Sequence, residues 1–280
     1  MRVYRSLRTA HEASTLTEDS AEPLFPGPPP TIMASVRAGG QRDFGLTPRE
    51  IATLRRLTPP WRIQKFLDDL DYDVRGEGCR SPRRVLRERR VQCMDGALFA
   101  AAALRVQGDP PLLLDLEAVQ DDDHVLALYR RNGLWGAIAR SNYSGLRFRE
   151  PLFESIRDLV LSYVEGYFNL RREKTLRRYS RPVHLSRFDA RGWMTAEEDL
   201  WDIPNFLAGI RHIRLLAPAQ ENALAPVSRV VFEAGLVGRA GVSLNPPRSR
   251  RSTVRSPTSR PPRRARRGRS GVRTGPPAVR

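Results

Sequence analysis

Lysine is nearly missing from this chain. Of its 48 basic residues only Lys65 and Lys174 are lysines, and the rest are arginines. A surface built for nucleic acid usually uses both, because lysine serves well as a point charge on phosphate. The imbalance therefore points to GC-rich codon usage at least as readily as to guanidinium chemistry. Cysteine is equally scarce: Cys79 and Cys93 alone do not make a disulfide framework. No apolar run reaches the roughly 20 residues that span a bilayer, and the N-terminus lacks the apolar stretch of a secretory signal. Its opening residues are rich in Arg, Ser and Thr, as in a transit peptide, but Glu12, Glu18 and Asp19 break any amphipathic period. The expected compartment is cytoplasmic and reducing, with both thiols free and no membrane contact.

Acidic residues are missing from one place in particular. Residues 246–280 hold twelve Arg and no Asp or Glu, which leaves only +5 of the formal net charge of +17 to the other 245 residues. Basicity thus belongs to a tail rather than to a fold. The Arg/Pro-rich segment from 218 to 280 reads as disordered, as does 1–44, where PLFPGPPPT precedes a second candidate start at Met33. Such a tail binds polyanions non-specifically through counterion release, so nucleic acid is a candidate partner. No aromatic residue follows Phe232, which argues against stacking on bases.

Between the two ends, 45–217 reads as one folded domain. Thr47-Pro48-Arg49-Glu50 is a capping box with Pro at the first helical position. Ile63, Phe66, Leu67 and Leu70 mark a second helix, and Ser81-Pro82 opens a third. From Cys93 to Gly108 an Ala-rich helix is apolar nearly all round and should be buried. Leu112 to Leu116 is a short strand. His124 to Tyr129 and Trp135 to Ala139 form a hairpin around Asn132-Gly133. A long amphipathic helix is expected from Pro151 to about Phe168. The capping box Thr195-Ala196-Glu197-Glu198 predicts another, and Pro204 separates off one more through about Leu216.

The chemistry concentrates in the centre. Cys93 opens a buried helix, where unpaired amides and the positive dipole end favour a thiolate and can cradle an oxyanion. His124 opens the hairpin strand 31 residues later. A two-residue loop at Asn132-Gly133 puts Ser141 opposite His124, whereas one extra loop residue puts Asn142 there, so either can orient the imidazole.

These segments, CMDGALFAAAALRVQGDPPLLLDL and DDDHVLALYRRNGLWGAIARSNYSGLRFREP, resemble the transglutaminase-like superfamily of papain-type cysteine enzymes, in a bacterial branch. The resemblance covers about 45–217 and is strongest over 79–168. It implies an α+β fold with a helix-borne Cys on a small antiparallel sheet, and a constellation of Cys93, His124 and a third residue at 141–142. Transglutaminases present Asp in the third place. This chain offers Ser141-Asn142, and Asn142 is preferred because a carboxamide oxygen accepts from imidazole as a carboxylate does.

The expected activity is thiol-dependent acyl transfer or amide hydrolysis on a peptide or amide substrate, with no cofactor. The rival readings are an inactive scaffold of the same fold, or an interaction protein acting through its basic tail. Asp121 to Asp123 are consecutive and alternate in direction, so they converge poorly on a metal and are expected to bias His124 toward imidazolium. Cys79 reads as incidental, Trp135 and Trp193 as core, and His11, His184 and His212 have no evident partner.

Overall fold

Thr47 caps the first helix as its residue type demands. Its hydroxyl accepts from the Glu50 amide at 3.3 Å, and the Glu50 carboxylate accepts from the Thr47 amide at 2.7 Å. The fold is that of a computed structural model, which describes residues 43–239. Two compact units divide the chain, Met1–Leu244 and Asn245–Arg280. The second lies outside the described residues, as do 1–42 and the Arg-rich stretch of the tail.

Helix α1 (Pro48–Arg56) is followed by α2 (Pro60–Asp68), which turns Ile63 and Leu67 inward. Strand β1 (Asp71–Tyr72) pairs in parallel with β2 (Arg90–Val91) around α3 (Pro82–Glu88), capped by Ser81. Helix α4 (Cys93–Val106) is buried from Met94 through Leu104, as an all-apolar helix must be. Then come β3 (Leu112–Ala118), β4 (His124–Arg131) and β5 (Leu134–Ile138). Asn132 and Gly133 take the two positive φ angles, 52° and 82°, that a two-residue hairpin turn requires. The register is the one that such a loop dictates, with Arg131 opposite Leu134 and Ala127 opposite Ile138.

The second half adds β6 (Arg149–Phe153), α5 (Ile156–Leu161), β7 (Leu176–Ser180), β8 (Val183–His184), α6 (Asp202–Gly209), β9 (His212–Arg214), α7 (Pro218–Asn222) and α8 (Arg229–Gly235). Seven strands form one antiparallel sheet in the order β6-β5-β4-β3-β7-β9, with β8 also on β3. The architecture is α+β. Alternation along β4 divides the core in two. Val125, Ala127 and Tyr129 pack with α4 and the N-terminal helices, while Leu126 and Leu128 pack with Leu159, Tyr163 and Tyr167 on the other face.

Four expectations need correction. The helix expected from Pro204 through about Leu216 is α6 (Asp202–Gly209), which contains Pro204 and stops at Gly209, and His212–Arg214 is strand β9. The helix expected from Pro151 to Phe168 is instead strand, short helix and turn. Phe153 pairs with Trp135, Pro151 sits on the edge strand β6, and the Ser155 hydroxyl caps α5 at Asp158. Pro is tolerated there because an edge strand leaves one side of its backbone unpaired. The box at Thr195 opens no helix. Thr195 closes a turn on Gly192, and its acidic neighbours are drawn to other elements, Glu197 to Arg87 and Asp199 to Arg84. The folded body also runs past 217, through α7 and α8.

One partnership was invisible in the sequence. Asp115 on β3 is fully buried, its amide donates to Ser180 Oγ at 3.0 Å, and its carboxylate accepts from His212 Nε2 at 2.8 Å. His212 Nδ1 donates to the Ile210 carbonyl at 2.8 Å. The ring thus ties edge strand β9 to central strand β3 across β7. Removing the ring takes a donor from a fully buried carboxylate, which costs about 3 kcal/mol. His212→Ala should lower stability by about 3 kcal/mol in urea unfolding, with an unchanged m-value. An unmoved midpoint would show that the tie carries no stability.

Candidate active site

The site is built on the start of α4. Asp95, the third residue of that helix, is fully buried. Its Oδ1 accepts from the Arg80 amide at 2.7 Å, and its Oδ2 accepts from the Gln92 amide and from Arg80 Nη1, both at 3.1 Å. Arg80 also grips Asp73 at 2.7 Å and Glu88 at 2.9 Å. Burial pushes the Asp95 carboxyl up to about 6, against the pull of these donors; both its oxygens act as acceptors. The network clamps the first helical turn, and with it Cys93.

Cys93 is half-buried at the first position of α4. Burial pushes its thiol up to about 12, Asp95 and Asp122 act in the same direction, and the Met94 amide pulls the other way. The expected thiolate is therefore not the resting form. The helix start supplies a partial positive charge, but desolvation and the acidic neighbours outweigh it.

His124, the first residue of β4, is 4% exposed. Its Nε2 lies 2.9 Å from the Leu146 carbonyl. A carbonyl only accepts, so Nε2 holds the proton and Nδ1 of the neutral ring is bare. Burial pushes the imidazole down to about 4, and the Arg149 charge acts the same way. The acidic run does not hold the ring as imidazolium. Asp121 and Asp123 are turned to other work, taking Thr175 Oγ1 at 2.7 Å and the Ala118 amide at 2.8 Å.

A cavity of about 80 Å³ opens at the end of the sheet where α4 and β4 begin. Cys93, His124, Ser141 and Asn142 all line it, with Asp121 to Asp123. Tyr72, Tyr143, Tyr167 and Phe168 form its aromatic walls. The four residues singled out in the sequence therefore share one cavity. They are not joined as expected. No hydrogen bond links Cys93 Sγ to His124, whose neighbours Leu146 and Tyr167 belong to the core on the face away from α4. Neither Ser141 nor Asn142 bonds the ring. The hairpin ladder stops at Ile138, and the Ser141 hydroxyl accepts from the Tyr143 amide at 3.0 Å to shape the turn that follows.

The orienting group is a backbone carbonyl, which no residue type announces. It is held in place by a close approach of two short turns. A Cβ on Gly145 would lie 2.9 Å from Gly166 Cα, and one on Gly166 would lie 3.0 Å from Gly145 Cα. Among the described residues no group of three His, Cys, Asp or Glu is placed to hold a metal ion.

Two measurements check these ionisation states. The rate of Cys93 alkylation by iodoacetamide should climb steadily from pH 6 to 9, and a plateau below pH 8 would reveal a thiolate. The second concerns His124, whose folded value of about 4 lies below the ordinary value near 6.5. The unfolded chain takes up a proton first, so this stability is complete above pH 6.5 and is lost as pH falls toward 4. His124→Asn should escape about 2 kcal/mol of the loss that the parent suffers between pH 7 and 5. Equal losses in the two proteins would contradict a neutral buried ring.

Compared with known proteins, the chain matches no family model and no curated protein.

Proposed function

We propose that the cavity performs thiol-dependent acyl transfer or amide hydrolysis, with Cys93 as nucleophile and His124 as base, on a papain/transglutaminase-like framework. One observation carries the reading. A cysteine at the first turn of a buried helix and a histidine with one nitrogen fixed and the other bare line the same cavity. The chain order adds support, since the helix-borne Cys precedes the His strand and its return strand.

The two groups are neutral at rest, so the chemistry is general-base rather than ion-pair. As Cys93 Sγ attacks a bound carbonyl carbon, its proton passes to His124 Nδ1. The carbonyl oxygen gathers negative charge, to which backbone amides at the start of α4 can donate. Collapse expels the amine with that proton, leaving a thioester. Water or a second amine then attacks the thioester and returns the thiol. The step requires the ring and the sulfur to close on each other, because they share no hydrogen bond at rest. The Leu146 carbonyl favours the imidazolium formed midway, the role expected of Asn142 or Ser141.

The missing Cys93–His124 bond also favours a second reading, an inactive scaffold of the same fold. An activated ester separates the two. Incubation with p-nitrophenyl acetate should acetylate Cys93, seen by intact and peptide mass, and Cys93→Ala should abolish it. His124→Ala should slow acylation on the order of a hundredfold, the usual contribution of a positioned base. Ser141→Ala and Asn142→Ala should each change it less than about threefold, because a carbonyl orients the ring and the rate loss from a positioned base belongs to His124. A parent protein that alkylates at Cys93 but never acylates is a scaffold.

A further inference from the structure

The folded body does not end where its sheet ends. After α7 the chain is anchored once more, by the Val227 amide donating to the Arg172 carbonyl at 2.8 Å. It then runs through α8 to Arg239, and this last stretch touches the body at the walls of the Cys93 cavity. Phe232 packs on Phe168 with ring centres 5.5 Å apart. The Ser144 hydroxyl donates to the Ala234 carbonyl at 2.8 Å. The Arg239 guanidinium sits 5.2 Å from the centre of the Tyr143 ring. Tyr143, Phe168 and Arg239 itself all line the cavity.

We propose that residues 229–239 are an autoinhibitory strap, a helix and arginine of the chain's own that close the cavity holding Cys93. The strap deepens the acyl-transfer reading and rests on it only in being called inhibitory.

Two features suit the segment to opening. It is thinly attached, with Val230 and Val237 75% and 58% exposed rather than packed. Its closed position also leaves a polar atom uncompensated, since Arg239 Nε is buried with no hydrogen-bond partner. Burying an unpaired donor is costly, so the closed form contains a term that opening relieves. Val227 and Ser228 stand at the pivot, the first tied to Arg172 and the second capping α8 at the Val231 amide.

The fit depends on one small residue. A Cβ on Gly235 would lie 2.3 Å from Phe168 Cζ, so α8 reaches this ring only because position 235 carries no side chain. Valine there levers the helix away from the cavity wall without touching Cys93 or His124.

The test uses the full chain and reads iodoacetamide alkylation at Cys93 by peptide mass, alongside circular dichroism. Gly235→Val should raise the rate at least tenfold and Arg239→Ala several-fold. Val230→Lys, on the exposed side of α8, should stay within twofold of the parent. If Gly235→Val fails to fold, Arg239→Ala decides alone. Unchanged or slower alkylation in the folded variants would overturn the strap. Acetylation by p-nitrophenyl acetate keeps the two ideas apart. Faster alkylation without any acyl-enzyme supports the strap and removes the acyl-transfer reading. An acyl-enzyme with unchanged alkylation does the reverse.

Discussion

The carboxylate of Asp95 is the point on which the described structure turns. It accepts from the Gln92 amide, so it caps α4, and from the amide and guanidinium of Arg80, so it binds that helix to the loop before α3. Arg80 carries the connection on to Asp73 and Glu88. A charge taken this far out of water survives only with donors on several sides, and losing one partner strands the rest. The outcome is a helix start with a single allowed position. Everything that α4 buries, from Met94 to Leu104, is placed by it.

That rigidity gives the candidate site its character. Cys93 is held at the end of a dry helix and His124 at the end of a dry strand, and each is pushed by burial toward its uncharged form. The pair therefore stores no ion pair at rest. In the proposed acyl transfer the reactivity comes with the substrate, whose carbonyl oxygen brings the amides at the helix start a charge to stabilise. The Leu146 carbonyl fits the same logic. It fixes which nitrogen carries the proton without adding a second charge to the cavity.

Much of the first half of the fold was legible because its signals are local. Thr47 with Glu50, Ser81 before Pro82, and Asn132-Gly133 each satisfy backbone groups within four residues, and the structure uses them as written. The second half was not legible in the same way. Strands β7 and β9 are short and rich in arginine, and their faces are decided by partners more than 60 residues away, such as Asp115 for Ser180 and His212. Thr195 failed as a cap because its amide and hydroxyl close a turn on the Gly192 carbonyl, while Glu198, the partner a box needs, lies by Arg191. In the site, residue types brought Cys93, His124, Ser141 and Asn142 to one cavity, but alternation along β4 was the neglected clue. Val125, not His124, faces α4. The ionisation states reversed because dipole and neighbouring charge can be read from spacing, whereas depth of burial cannot.

The contact between Gly145 and Gly166 places Leu146, and so sets the imidazole. Because each glycine is excluded from growing by the other's backbone, the constraint is one contact recorded at two positions. A survey of single substitutions would count two indispensable residues there. A pairwise survey would count one, since both substitutions press on the same contact. Lineages of this protein could therefore enlarge either glycine only by passing through a form whose histidine has lost its tether.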